Sequence, residues 1–405
     1  MTNIPTSDEV KEYFPFIHQA FVKVFLALLF LVIREGTVNL NKAKKSLGLA
    51  LGVKGLNQKA AYKRLIRFFK MSHVMCFCIG VSYLMFSILN PCEAIYLAID
   101  RTNWQIGNRN KMNINVLVIG MVLANGCFIP LVWQQLEKKG NSNQLERNTL
   151  LKLFVELFLP RLPQHFETKR FVMLGDREFI GKEWFKLLCK RMRFVMRVRR
   201  DDYLFQVAES WNTTVAKALR KIERLCKRDG FVYLSISMDG KTYYYVVVPN
   251  LQKGAKKSDK WVRFVSNIAD LQMIREAYQE RWQIEVFFKH CKTNGFRLED
   301  MNLTQTEKVM LMIAVVGCAY VLAIRAGILE DERRPIKKQY FKKQEKEYRR
   351  QSIFSLGYEQ LEAYIFDLND LIQFIEEALP KQQIADYSII IKYFMKKTKF
   401  SRIRG

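Results

Sequence analysis

Histidine is scarce in this chain, with four in 405 residues and no two of them close in sequence. Zinc sites are built from clustered His and Cys, so this scarcity argues against one. The eight cysteines, at positions 76, 78, 92, 127, 189, 226, 291 and 318, form no CxxC pair and no regular framework. That pattern does not suit a disulfide scaffold and fits free thiols in a reducing cytosol. Long apolar runs are also lacking. Phe21–Ile33 is interrupted by Lys23, Val74–Leu89 contains Ser82 and Tyr83, and Ile114–Trp133 contains Asn115, Asn125, Gly126 and Pro130. Val309–Ile324 carries no charge but has 16 residues, short of the ~20 that a spanning helix needs. Each run reads as a buried helix or strand. The opening stretch MTNIPTSDEVKEYF is acidic where a signal peptide would be basic, so none is expected.

Negative charge is in short supply as well. Asp and Glu number 39 against 66 Lys and Arg, a net charge of +27. A disordered basic tail would lack the 13% aromatic and 49% hydrophobic residues present here. A chain of this length can bury real cores in two or three domains. A folded protein so basic calls for a polyanion, most simply nucleic acid held through its phosphates. An anionic membrane surface is the rival, and the interrupted apolar runs speak against it.

Residues 1–88 read as helical. SLGLALGVKGLNQKAAYKRLIRFFK divides into two helices at Gly52–Gly55, with Asn57 as candidate N-cap. The second helix sets Lys59, Lys63, Arg64 and Arg67 against Ala60, Ala61, Leu65 and Phe68. That is compatible with a helix-turn-helix reading DNA, and equally with a helical bundle presenting a basic face to solvent. From Ala94 the pattern becomes β-rich. Segments 94–100, 114–120 and 127–136 suggest an antiparallel meander. A helix over 143–162 follows, then a strand at 170–176, a helix at 181–191 and a strand at 193–199. This is an α/β order with mixed sheet pairing. Residues 200–267 read as a mainly β insertion, with a hairpin turning at Asp239–Gly240. The charged segment ERRPIKKQYFKKQEKEYRR and the tail KYFMKKTKFSRIRG suit either solvent or a phosphate backbone.

Two strand-like runs end in an acid, Asp100 after IYLAI and Asp176 after FVMLG. Singly, each serves as a turn-former or N-cap. Together in a basic protein they suggest carboxylate ligands for hard divalent cations, with a third acid nearby. The segment YQERWQIEVFFKHCK (278–292) supplies a candidate. On a helix, Arg281, Glu285 and Lys292 fall about 60°, 20° and 40° from Tyr278, forming one stripe. Ile284, Phe287, Phe288 and Cys291 gather on another face, with Ala277. Periodicity alone does not separate a functional stripe from a solvated one with an Arg281–Glu285 pair.

Asp100 in LAIDRTNWQIG, Asp176 in MLGDREFIG and the Y-x2-R-x3-E-x6-K run of Tyr278, Arg281, Glu285 and Lys292 resemble the DDE transposases of the insertion-sequence-four family. NQKAAYKRLIRFF and, more weakly, SIFSLG extend the likeness over most of the chain. The resemblance implies an α/β, ribonuclease-H-like mixed-sheet catalytic domain interrupted by a β-rich insertion, with helical N- and C-terminal regions. The expected divisions are an end-binding domain at 1–88, catalytic core at 89–199 and 268–328, the insertion at 200–267, and a basic helical region at 329–405. The insertion accounts for the 109 positions (285 − 176) between Asp176 and Glu285.

By the same likeness, Asp100, Asp176 and Glu285 are catalytic and hold two Mg²⁺ ions, with Mn²⁺ as substitute. Tyr278, Arg281 and Lys292 grip phosphates beside the cleaved bond. Trp261 either stacks on a base flipped from a hairpinned end or packs on the insertion's core. Arg101, Thr102, Asn103 and Trp104 either support Asp100 or touch DNA, and Glu178 is left without a role. The implied partner is double-stranded DNA, as transposon ends and target, bound by a homodimer assembled on it in the bacterial cytoplasm, at the nucleoid and with no membrane association. A metal-dependent nuclease without strand transfer and an inactive DNA-binding inhibitor are the alternatives. The three acids present speak against the second.

Overall fold

The computed structural model describes residues 7–380 except 54, 92, 107–111, 125, 164–165, 251–259 and 342–345. Five helices open the chain: α1 (Asp8–Glu12), α2 (Gln19–Glu35), α3 (Leu40–Ala50), α4 (Gln58–Phe68) and α5 (Val74–Leu89). The pair expected around the glycine-rich joint is α3 and α4, and Oδ1 of Asn57 accepts from the Ala60 amide at 2.8 Å. Lys59, Lys63 and Arg67 are exposed on α4. Apolar residues lie nearly all round α2 and α5, and both helices are buried accordingly.

A meander of β1 (Tyr96–Ile106), β2 (Met112–Val122) and β3 (Phe128–Gln135) follows. The next helix, α6 (Gln144–Leu153), begins with a capping box between Asn143 and Glu146. It runs into a wider π turn at Phe154–Phe158 and ends in a short 3-10 turn at Leu159–Arg161, around Pro160. Then come β4 (Val172–Gly175), α7 (Lys182–Arg191) and β5 (Arg193–Val198). Both later strands run parallel to β1, in the spatial order β3-β2-β1-β4-β5. Gly175 is required by packing: a Cβ there would meet Met196 Sδ at 2.5 Å and Phe179 Cβ at 3.1 Å.

Residues 200–267 depart from the expected β insertion in two ways. They open with two helices, α8 (Leu204–Ser210) and α9 (Val215–Asp229), before β6 (Val232–Met238), β7 (Lys241–Pro249) and β8 (Trp261–Ser266). Ala218, Ile222 and Cys226 repeat at helical spacing and form the buried face of α9. The three strands also do not stand apart. Strand β8 pairs antiparallel with β5, so one mixed sheet runs β3-β2-β1-β4-β5-β8-β7-β6. The hairpin turns where expected, with Asp239 and Gly240 both at positive φ.

The stretch expected as one helix around residue 281 is two, α10 (Leu271–Glu280) and α11 (Trp282–Lys292). At the joint the amides of Arg281 and Ile284 reach the carbonyls three residues back, tightening the turn. The central helix α12 (Thr306–Arg333) has 28 residues, longer than its uncharged stretch. By length and composition it could cross a membrane, yet 94% of its most apolar window is buried inside the protein. Pro335 lies just beyond its end, where proline disfavours helix in the preceding residue.

The region expected as basic and helical from 329 opens with the end of α12 but then has an antiparallel strand pair, β9 (Lys338–Phe341) and β10 (Lys346–Arg349). Asp331 of α12 pins it, accepting from the Ile336 amide at 2.7 Å and pairing with Arg349 at 3.0 Å. Helices α13 (Ile353–Tyr364) and α14 (Leu368–Ala378) follow, and the basic tail at 392–405 lies outside the described residues. One apolar core joins the N-terminal helices, the sheet and α12. Trp133 Nε1 of β3 and Cys78 Sγ of α5 both donate to the carbonyl of Met310. The division expected near residue 88 is therefore not a break in packing. The result is a mixed α/β domain with helical regions on both flanks, broadly consistent with a ribonuclease-H-like fold.

Candidate active site

The register of the parallel strands lines up the first two acids. Ile99 of β1 pairs with Gly175 of β4, and Gly175 in turn with Met196 of β5. The next residue along each is Asp100 within β1, Asp176 just past β4 and Arg197 near the end of β5, a row across three neighbouring strands; β1 runs on to Ile106, beyond the strand end expected at Asp100. Arg197 Nη1 lies 3.8 Å from Asp176 Oδ1. That oxygen is buried and has no hydrogen-bond partner among the described residues. Sequence reading passed over Arg197, although it too follows directly on an apolar run, Phe194–Met196.

Glu285 joins this row through Arg281. The Arg281 side chain is 5% exposed, and its Nη1 lies 3.1 Å from Oδ2 of Asp100. Its Nη2 donates to Oε1 of Glu285 one turn further along. The i, i+4 pair, which periodicity alone left open between a functional and a solvated stripe, is thus half of a bridge between β1 and α11 built on a buried guanidinium. Burial pushes the Asp100 carboxyl up to about 6, against Arg281 and the Arg101 amide, which favour its charge. Burial works against the Arg281 charge too, but Tyr278, Asp100 and Glu285 hold its pKa above the usual arginine range.

The remaining residues of the stripe turn inward rather than to solvent. Tyr278, on α10, packs against Phe264 with ring centroids 4.5 Å apart, and its buried hydroxyl has no partner among the described residues. Burial pushes that hydroxyl up to about 12. Lys292 Nζ donates to the Asn103 carbonyl at 2.6 Å and lies 5.5 Å from the Trp104 ring centroid. Its 3.8 Å approach to Glu299 adds a long ion pair. Trp261 begins β8 opposite Pro249 and is half-buried against the core, with Lys260 Nζ 5.9 Å from its ring. Antiparallel pairing of β8 with β5 puts Trp261 at the sheet end that carries the acids.

A polar network unread in the sequence backs the row. Arg101 Nε contacts Glu178 Oε2 at 3.1 Å, and its Nη1 donates to Asn115 Oδ1 at 3.1 Å. Glu178 Oε1 accepts from the amide and the hydroxyl of Ser142, both at 2.7 Å. Arg147 closes the far side onto Ser142 and the Ile180 carbonyl. Arg101 and Glu178 thus serve each other. The side-chain order Asp-Arg within β1 and Asp-Arg-Glu just past β4 was the available signal.

Three carboxylates of this kind match the chemistry of a hard divalent cation, and the orphaned Asp176 Oδ1 is an oxygen suited to one. As the side chains lie, no three His, Cys, Asp or Glu among the described residues converge closely enough to hold an ion. The guanidinium of Arg281 stands between Asp100 and Glu285 and contacts both.

The family model described as Transposase DDE domain matches residues 95–322, more than half of the chain. The chain belongs to that family, which carries a transposase or nuclease-type activity in general. No curated protein matches it significantly.

Proposed function

We propose that this chain is a cut-and-paste transposase of the insertion-sequence-four family. It binds the inverted-repeat ends of its element, cleaves phosphodiester bonds there and joins the 3′ ends to target DNA. The strand register that sets Asp100 beside Asp176, with Arg281 tying Glu285 to Asp100, supports this reading. Asp100, Asp176 and Glu285 would hold two divalent ions, Mg²⁺ with Mn²⁺ as substitute. Bound there, such ions polarise the scissile phosphate and ready a water or 3′-hydroxyl for in-line attack.

The side chains around them position the backbone. Arg281, released from the acids, is a cation beside them for a phosphate, and its planar fork suits two oxygens at once. Lys292, held by the Asn103 carbonyl, offers a second cation on the same helix. Tyr278 has a hydroxyl with hydrogen-bonding capacity to spare. Trp261, on the same end of the sheet, supplies a stacking face for an unpaired base. Two element ends are processed together, which asks for two copies of the chain assembled on DNA in the cytoplasm.

The test is incubation of the full chain with Mg²⁺ and duplex DNA carrying the sequences that flank its gene. Nicked and joined products are expected from the natural chain. Glu285→Gln is expected to yield none while still retarding the DNA on a gel, since it removes a ligand and no phosphate contact. Products persisting in Glu285→Gln would overturn the assignment.

A further inference from the structure

We infer that the outer face of α9 is a second binding site for the phosphate backbone of duplex DNA, separate from the acids and resting on the DNA-processing reading above. Lys217, Arg220, Lys221 and Arg224 recur at three- and four-residue spacing, so they share one face, opposite the buried Ala218, Ile222 and Cys226. With Trp211 they line a cavity of about 480 Å³. Lys221 Nζ stands 4.2 Å from the Trp211 ring centroid, which fixes one cation over an aromatic floor.

An ordinary solvated basic helix mixes acids into such a face. Here the two acids of the helix are committed elsewhere, Glu223 to Arg200 at 2.7 Å and Asp229 to Arg228 at 2.7 Å. Among the described residues none of the four cations has a carboxylate within 4 Å. Like charges at i, i+3 and i, i+4 repel one another, and a polyanion laid along them removes that repulsion. Backbone recognition needs no more than such a row, and counterion release supplies the affinity.

Its place in the fold suits the same substrate. The helix pair α8–α9 is reached within a few residues of the end of β5, where Arg197 stands beside Asp176. The Arg200–Glu223 ion pair ties α9 back to that strand end. A duplex passing the acids is thereby offered further phosphate contacts on the flank of the sheet.

The experiment compares the natural chain with the variant Lys217→Gln, Arg220→Gln, Lys221→Gln, Arg224→Gln, in EDTA so that no cleavage intervenes. Anisotropy titrations use two labelled duplexes of about 60 base pairs, one with the element's terminal repeats and one unrelated, over a range of salt. The variant is expected to bind 10- to 100-fold more weakly at moderate salt, with log K falling less steeply by about 0.9 for each phosphate no longer neutralised. Weakening on both duplexes assigns the face to any duplex, target included. Weakening confined to the repeat-bearing duplex assigns it to the element end. A second variant, Arg220→Lys with Arg224→Lys, keeps the charge and is expected to retain the natural salt slope, which separates removal of charge from misfolding. If the natural chain binds duplex and the quadruple variant matches it in affinity and slope, the site is refuted. If the natural chain binds neither duplex, the DNA reading itself fails.

Discussion

Nη1 of Arg281 stands 3.1 Å from Oδ2 of Asp100, joining positions 181 apart in the chain at the one point where α10 gives way to α11. Removing one partner of a buried ion pair leaves the other charge without compensation, at about 3–5 kcal/mol. Arg281→Met is therefore expected to destabilise the fold by about that much at pH 8. Asp100 titrates at about 6 even with the arginine present. Its raised value means that the folded chain takes up this proton before the unfolded chain does. Between the ordinary carboxylate range and pH 6, this group therefore stabilises the fold increasingly as pH falls. At pH 5 the variant's Asp100 is largely neutral and needs no cation, so the deficit is expected to be smaller. Urea unfolding at pH 8 and pH 5 measures both, and equal deficits would show that Arg281 acts other than through Asp100.

Glu178 is expected to behave as a positioning residue. Glu178→Gln keeps an oxygen for Ser142 but weakens the hold on Arg101, whose own amide donates to Asp100 Oδ1 at 2.7 Å. Supporting residues of this type are worth about 10- to 100-fold in activity or metal affinity. Cleavage is expected to slow within that range, with a higher Mg²⁺ requirement and unchanged duplex binding in EDTA. A complete loss at every Mg²⁺ concentration, like that foreseen for Glu285→Gln, would instead make Glu178 a ligand.

How much of this was legible follows from where each signal resides. Asp100 and Asp176 stood out because apolar runs lead directly into them, and strand register then set them side by side. Glu285 was visible as part of a stripe, but periodicity holds no information on what the stripe faces. Its inward direction comes from α10 and α11 packing on the sheet, a tertiary fact. The break at Arg281 left no trace in the sequence because every residue from Leu271 to Lys292 is compatible with helix. Helix α9 was masked by the Tyr- and Val-rich strands that follow it, whose β signal is the stronger. The strand pair β9 and β10 was hidden because lysine-rich segments read alike whether they lie on a strand or a helix.

His290 gives a pH effect independent of the acids. It is buried on α11, with its ring centroid 4.2 Å from that of Phe354. Burial, with Lys289 adding to it, lowers its pKa to about 4. The unfolded chain therefore takes up this proton first as pH falls, and stability is lost between the ordinary histidine value and pH 4. The slope approaches about 1.4 kcal/mol per pH unit within that window. His290→Phe cannot take the proton and is expected to flatten the loss. Thermal unfolding of both proteins from pH 7 to pH 4.5 reads the difference, and parallel curves would remove His290 from the account.

The weakest part of the family likeness, SIFSLG at 352–357, acquires a physical role from Gly357. A Cβ built there falls on the Ala323 carbonyl oxygen and the Gly327 amide, far inside van der Waals contact. Gly327 faces the same contact, where a Cβ falls on the Ile353 carbonyl. Helices α12 and α13 thus meet backbone to backbone, and no side-chain rotation relieves an added methyl. Overpacking of a core costs about 1–3 kcal/mol, and a backbone obstacle places Gly357→Ala at the upper end. Chemical denaturation is expected to register that loss. If the substitution proves neutral, the two helices are free to separate, and α13 contributes little to holding the central helix beneath the sheet.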